Sequence, residues 1–382
     1  MKVVYSSTCL VHNPEYETLS GKRVPYLESP QRYEVIKEAL SDSEDSFGFV
    51  EASEDLEIGE HLLSVHNPEY VEYVKNAYDA WVEDGGDEAG VVPDTFPHPK
   101  LINFKNGDID VTKLKPIAKA GLYCFDLSTP ITADTYKAAI AAVQVTLTAC
   151  SILTTESKAS SSEGPVGVFA LTRPPGHHAA TSLSGGYCYF NNVAIAARFL
   201  QSQAQSPSSV NAESKPKIAI LDIDYHHGNG TQDIFYADPS VYYVSLHAVP
   251  DYPYYTGTAS ETGFGPGKGY TLNLPLPTYT TGDEEYLAAL RHAVHKINEF
   301  GAEYVVVSLG VDTYQHDPIC KFGLTTAGYR RVGGAIARAG AGVGTVFVME
   351  GGYFIADLGA NVRAVLEGYQ TAGKGAAAAG SA

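Results

Sequence analysis

Lys217-Ile218-Ala219-Ile220-Leu221-Asp222-Ile223-Asp224-Tyr225-His226-His227-Gly228-Asn229-Gly230-Thr231 is the stretch on which the fold reading turns. Its first seven residues form a short apolar run of the kind that fills a strand buried on both faces, and it breaks into carboxylates, imidazoles and glycines. Strand alternation places Asp222, Asp224 and His226 on one side. Two carboxylates with one imidazole are hard-to-borderline donors suited to a divalent ion such as zinc. A merely polar, His-rich turn is the alternative.

The same design recurs along the chain. Apolar runs at Lys2 to Tyr5, Val166 to Leu171, Val241 to Leu246, Tyr304 to Leu309 and Thr345 to Met349 read as further buried strands. Helical spacing marks Thr135 to Leu153, Asn191 to Gln203, Glu284 to Phe300, Thr326 to Ala339 and Ala360 to Tyr369, several beginning beside a capping Asp, Asn or Thr. Alternating helices and wholly apolar strands predict an α/β domain, its parallel sheet covered on both faces, with ligands bound beyond the carboxyl ends of the strands. Three stretches, Asp84 to Ala120, Ser157 to Gly164 and Gln201 to Pro216, read as surface insertions. The first is long enough to be functional or an interaction element.

Polar clusters fall where that architecture puts a site. Arg173-Pro174-Pro175-Gly176-His177-His178 follows the Val166 to Leu171 strand, and a rigid turn can present such a pair as acid and base. Asp312 follows Tyr304 to Leu309, with Asp317-Pro318 soon after. Asp224, His226 and Asp312 make a three-donor set that leaves coordination positions open, as in catalytic rather than structural zinc. Met349-Glu350-Gly351-Gly352-Tyr353 sets a tyrosine behind two flexible glycines, able to donate to an oxyanion.

Bulk properties narrow the classes. The chain has 382 residues, 26 Lys+Arg against 44 Asp+Glu, and a formal charge of -18. Such a field repels nucleic acid and anionic lipid; it either serves solubility alone or draws in a cationic ligand. Five cysteines (Cys9, Cys124, Cys150, Cys188, Cys320) without close pairs indicate neither a disulfide framework nor a Cys-rich metal site. No apolar run is read as approaching the ~18 residues of a membrane span, and the N-terminus turns polar at Ser6. A cytoplasmic protein is expected, and Asn229-Gly230-Thr231, formally a glycosylation signal, lies inside the candidate site.

Together these four clusters make the chain resemble the histone deacetylase superfamily, with its arginase-deacetylase fold, and within it the acetylpolyamine amidohydrolases. The resemblance implies one catalytic domain over residues 1–370 around a mostly parallel eight-stranded sheet, and a flexible tail over 371–382. It implies a hydrolase removing acetyl groups from acetylated polyamines or similar primary amines, with one zinc ion per subunit on Asp224, His226 and Asp312. By the same resemblance His178 is the general base, oriented by Asn229; His177, backed by Asp222, gives electrostatic support; and Tyr353 holds the oxyanion. Potassium is expected at Asp222, Asp224, His226, Ser245 and Leu246, and at a second site formed by Phe235, Asp238, Val241 and Tyr270. Gly186, Tyr187, Tyr255, Ile319 and Gly352 match substrate-tunnel positions, with Cys188 beside them, though such residues also serve as ordinary core.

The polyamine likeness rests on Glu17, on Arg173-Pro174-Pro175-Gly176 and on the 84–120 insertion, which in that family builds a homodimer and narrows the mouth. Pro68 stands near a position where protein deacetylases carry a polar residue. The family's acidic insertion residues find no match at Lys113, Lys115 and Lys119; Asp108, Asp110 or Glu17 would supply that charge. Three other readings are a protein or small-molecule acetyl-lysine deacetylase, a two-manganese ureohydrolase and a non-enzymatic module binding acylated amines.

Overall fold

The computed structural model describes residues 1–42, 46–98, 110–159, 166–203, 215–340 and 344–380. Ten strands occur among them: β1 (Lys2–Tyr5), β2 (Tyr16–Leu19), β3 (Lys22–Pro25), β4 (Gly48–Glu51), β5 (Gly167–Ala170), β6 (Ile218–Asp222), β7 (Val241–Val249), β8 (Thr271–Pro277), β9 (Tyr304–Leu309) and β10 (Gly344–Met349). Eight form one sheet in the order β4-β1-β5-β10-β9-β6-β7-β8, and every pairing in it is parallel. The expected mostly parallel sheet is therefore wholly parallel. β2 and β3 are a separate antiparallel hairpin.

The six strands read from apolar runs are the inner ones, where helices on both faces demand continuous hydrophobicity. β4 and β8 carry no such apolar run, because as edge strands they are only partly buried. β8 also carries Pro275 and Pro277, which an edge tolerates. The β2–β3 turn has positive φ at Ser20 (50°) and Gly21 (74°), the requirement of a tight type I′ turn.

The helices are α1 (Pro30–Ser41), α2 (Gly59–Leu63), α3 (Pro68–Glu83), α4 (Pro116–Leu122), α5 (Thr135–Ala159), α6 (Asn192–Ser202), α7 (Asn229–Phe235), α8 (Asp283–Phe300), α9 (Thr326–Ile336) and α10 (Ile355–Gly380). Pro30, Pro68 and Pro116 open helices where a missing N–H costs nothing. α10 continues to Gly380, beyond Tyr369 and through most of the stretch expected to be a tail. Residues 99–109 of the 84–120 insertion, Asp108 included, lie outside the described residues.

One reading is corrected by α5, which is long and apolar enough to cross a membrane by length and composition. Its apolarity is accounted for by burial: 72% of the apolar window is inside the domain, where α5 packs on β1, β5, β10 and α6.

α9 and α10 pack closely through glycine. A Cβ on Gly333 would collide with the Val365 carbonyl, and one on Gly368 with that of Arg330. Gly333→Ala should lower stability by about 1 to 3 kcal/mol through overpacking, against the ~1 kcal/mol that Ala gains in an open helix. Thermal unfolding measures the sign; an unchanged or raised midpoint would mean that the two helices separate at little cost.

Candidate active site

β5, β10, β9 and β6 are consecutive across the middle of the sheet. Their carboxyl ends therefore deliver the four polar clusters to one place, although they lie far apart in sequence. Asp222 closes β6 opposite Ser308 of β9, and Met349 of β10 pairs with Leu309. Asp222, Asp224, Asp312 and Glu350 are fully buried, and His177, His178, His226 and Tyr353 nearly so.

His226 Nδ1 lies 3.1 Å from Asp312 Oδ2 and 3.3 Å from Asp224 Oδ1. Donors bound tetrahedrally to one zinc ion at ~2 Å stand roughly 3.3 Å apart, so these separations are those of a shared ion. The remaining carboxylate oxygens are fixed by backbone: Tyr225 N donates to Asp312 Oδ1 (2.8 Å) and Gly351 N to Asp224 Oδ2 (2.9 Å). A side chain at Gly351 would intrude on both Asp312 Oδ2 and Asp224 Oδ2, so glycine keeps the space between them open. Burial and the neighbouring Asp224 raise the Asp312 carboxyl above its usual range, whereas His177 and His226 outweigh burial at Asp224 and hold it low. The donors suit a divalent cation. Cys320 also approaches, its Sγ 3.9 Å from Nε2 of His226 and within 4.8 Å of an Asp312 carboxylate oxygen, and burial keeps it a thiol.

Adjacent histidines are driven to opposite protonation states. His177 Nδ1 lies 3.1 Å from Asp222 Oδ2 and its Nε2 3.8 Å from Asp224 Oδ1; burial opposes the charge, but the two carboxylates prevail and raise its pKa to about 10. His178 faces the neutral Asn229 amide, its Nδ1 2.7 Å from Oδ1. Burial, reinforced by His177 and His226, holds His178 well below the usual imidazole value, so it is neutral. Because Asn229 Oδ1 can only accept, Nδ1 of His178 carries the proton and Nε2 is left as the base.

A cavity of about 420 Å³ opens onto this centre. His178, His226, Tyr353, Gly186, Tyr187 and Ile319 line it, as does Tyr252, whose ring lies 5.1 Å from that of His178 and 5.8 Å from that of His226. Tyr255, expected in this wall, is 91% exposed and does not line the cavity; the loop after β7 turns Tyr252 inward instead. Glu17 does not line it either. It is buried behind Tyr187, accepting from the Tyr187 hydroxyl (2.8 Å) and from Leu27 N (2.9 Å).

Three further residues, to which the sequence assigns no role, support the site. Arg32 is buried and donates to the carbonyls of Gly352 (2.6 Å) and Glu350 (2.5 Å), with its guanidinium 4.9 Å from the Tyr353 ring centroid. Asp317 accepts from Tyr353 N (2.8 Å). Asp126 accepts from Gly186 N (2.6 Å) and from the Tyr252 hydroxyl (2.9 Å). Only Asp126, in an Asp-x-Ser-Thr turn, and Asp317, before a proline, left any mark in the sequence.

Of the expected potassium ligands, Ser245 pairs in register with Asp222, and its hydroxyl lies 2.8 Å from His247 Nδ1; Leu246 is the next residue of β7. At the second set, the carbonyls of Phe235 and Tyr270 accept from Asp238 N and Tyr243 N (3.0 Å each), Asp238 pairs with Arg198 (2.7 Å), and Val241 begins β7.

Comparison with known proteins agrees with this geometry. The histone deacetylase domain matches residues 26–369. The chain belongs to the histone deacetylase family. Acetylpolyamine amidohydrolase 1 of Pseudomonas aeruginosa is 38% identical over 98% of this chain and 100% of its own length. Acetylpolyamine amidohydrolase of Mycoplana ramosa is 36% identical over 96% and 99%. A crystal structure of acetylpolyamine aminohydrolase from Burkholderia pseudomallei superposes with a TM-score of 0.83 at 30% identity, covering 97% of this chain and 99% of that one. This histone deacetylase family member is a deacetylase hydrolase.

Glu17 provides a test of the wall. Burial pushes its carboxyl from the usual 4.5 up to about 7. A carboxyl that ionises less readily in the folded than in the unfolded chain weakens the fold as pH rises from 4.5 to 7. Glu17→Gln should remove that loss, of order 3 kcal/mol, so that its thermal midpoint gains on the parent across the window. Parallel pH curves for the two proteins would show that Glu17 does not titrate there.

Proposed function

We propose that the protein is a zinc-dependent deacetylase of small, linear, cationic acetylated amines, the acetylated polyamines foremost. The observation that carries the reading is the convergence at four adjacent strand ends of a divalent-ion donor set, a neutral imidazole and a tyrosine around one buried cavity. Both the Pseudomonas and Mycoplana relatives named above are acetylpolyamine amidohydrolases.

Asp224, His226 and Asp312 would hold the zinc ion, which when bound polarises a carbonyl and lowers the pKa of water. Nε2 of His178 takes the proton of the attacking water and returns it to the departing amine, with Asn229 fixing the ring. His177, held cationic by Asp224 and Asp222, stabilises negative charge developing beside it. Tyr353, its pKa raised far above the ordinary phenol by burial, remains a donor for the tetrahedral oxyanion, and Asp317 and Arg32 hold its backbone in place. Tyr187 and Tyr252 flank the aliphatic stem.

Potassium at the two sets of positions given above, a cytoplasmic address consistent with five free cysteines, and a homodimer through the 84–120 insertion complete the proposal.

Tyr353→Phe should keep fold and metal yet lower kcat about a hundredfold or more; normal turnover would remove Tyr353 from the mechanism. Asp312→Ala should lose zinc by metal analysis, and stoichiometric, tight zinc in that variant would disprove the ligand assignment. Steady-state hydrolysis of N-acetylputrescine and N-acetylspermidine beside an acetyl-lysine peptide tests the substrate: the polyamines are expected to win, and preference for the peptide would move the protein among the lysine deacetylases.

A further inference from the structure

Among the described residues, four that are not glycine have left-handed backbone: Ser20 (φ 50°), Tyr187 (68°), Tyr254 (69°) and Tyr279 (66°). All four line the active-site cavity. Bulky residues rarely take this conformation, which costs of order 1 kcal/mol or more, and such strain collects where function requires it. Ser20 owes its φ to the β2–β3 turn, and Tyr187 is a buried wall residue hydrogen-bonded to Glu17. Tyr254 lies in a bend, its N–H donating to the Asp251 carbonyl (2.8 Å), and Tyr279 in a turn, its N–H donating to that of Lys321 (2.8 Å), and neither ring is a buried wall. They are 70% and 79% exposed, so their rings add little to the core, and glycine or asparagine would hold the same backbone with less strain.

Exposure also orders the cavity. His178, His226 and Tyr353 are buried at its floor, which leaves Tyr254 and Tyr279 at its mouth. Among the described residues, the carboxylates near that mouth already accept hydrogen bonds. Glu17 is sealed behind Tyr187, and Asp251, which does line the cavity, accepts from Tyr252 N (2.8 Å) and the Tyr225 hydroxyl (2.6 Å), with Lys321 also in the lining. The groups on offer are two aromatic faces.

We infer that Tyr254 and Tyr279 form a rim subsite that binds the distal ammonium of a linear acetylated amine through cation–π contact, while its acetyl end reaches the buried centre. The inference rests on the deacetylase reading and adds the part of the substrate which that reading leaves unrecognised. Cation–π attraction is shared by two rings, needs no carboxylate and acts at exposed sites.

Calorimetric binding to the zinc-loaded protein tests it, with two linear alkyl hydroxamates of equal length, one ending in ammonium and the other in methyl. The parent should prefer the ammonium about tenfold, as two exposed ring faces provide. Tyr254→Leu/Tyr279→Leu should lose that preference and Tyr254→Phe/Tyr279→Phe should keep it. Tyr254→Gly/Tyr279→Gly, which relieves the backbone, should lose the preference while unfolding at a temperature no lower than the parent. Equal or tighter binding of the methyl compound by the parent, as an apolar rim would give, overturns the inference, as does a preference that survives in the Leu variant. Failure of the parent to bind either hydroxamate would sink the zinc-deacetylase reading and this inference with it. Hydrolysis of acetylated amines without an ammonium preference in binding sinks the inference alone.

Discussion

Four carboxylates, Asp222, Asp224, Asp312 and Glu350, are withdrawn from water at one end of four neighbouring strands, and the rest of the structure is arranged around meeting that cost. An isolated buried carboxylate is heavily penalised unless hydrogen bonds and opposite charge surround it. Here the donors are mostly backbone. Gly176 N and His177 N serve Glu350 (2.7 and 3.2 Å), Asp224 N serves Asp222 (3.2 Å), and Tyr225 N and Gly351 N reach across strands to Asp312 and Asp224. Such donors exist only where strands end side by side in parallel and their loops bend inward. The sheet order thus sets the electrostatics of the site, since an edge strand could not supply partners on both sides.

The cavity walls are set by a second group of polar contacts. Asp126 links three segments: its carboxylate takes the Gly186 N–H from one wall and the Tyr252 hydroxyl from the other, and the Thr129 hydroxyl (2.8 Å) from its own turn. Phe125 stacks on Tyr252 from the same turn. Glu17 plays a similar part behind Tyr187. The bore is therefore fixed by hydrogen bonds behind the rings as well as by ring packing, which is how exposed loops can hold a narrow channel of stable width.

Periodicity explains what the sequence disclosed. β1 and β9 were read to the residue because a strand buried on both faces is an apolar run with sharp ends. The candidate site is legible for the same reason, because polar residues that interrupt such a run lie at a strand end, where α/β folds place ligands. β4, β8 and the β2–β3 hairpin carry no such run. α2, α4 and α7 are too short, at 5, 7 and 7 residues, to show a helical period. Arg32 supports Gly352 from 320 positions away, a relation that no local pattern encodes. Sequence points to Tyr255 where the structure has Tyr252 in the wall, because a loop rich in tyrosine and proline gives no register by which to choose.

Reaction and specificity are thereby written in different parts of the chain. The candidate centre is built from side chains whose positions follow from the sheet, and even the contrast between His177 and His178 follows once a carboxylate stands beside one and an amide beside the other. The cavity wall and rim are formed in part by Tyr187, Tyr252, Tyr254 and Tyr279, set on loops and in three cases on left-handed backbone. Left-handed residues have no periodic signature and are chosen by contacts from elsewhere in the fold, as when Tyr279 N donates to the Lys321 carbonyl (2.8 Å). A loop held in that way can change the group it presents without disturbing the buried carboxylates, so one centre can serve amines that differ only in what lies beyond the acetylated nitrogen.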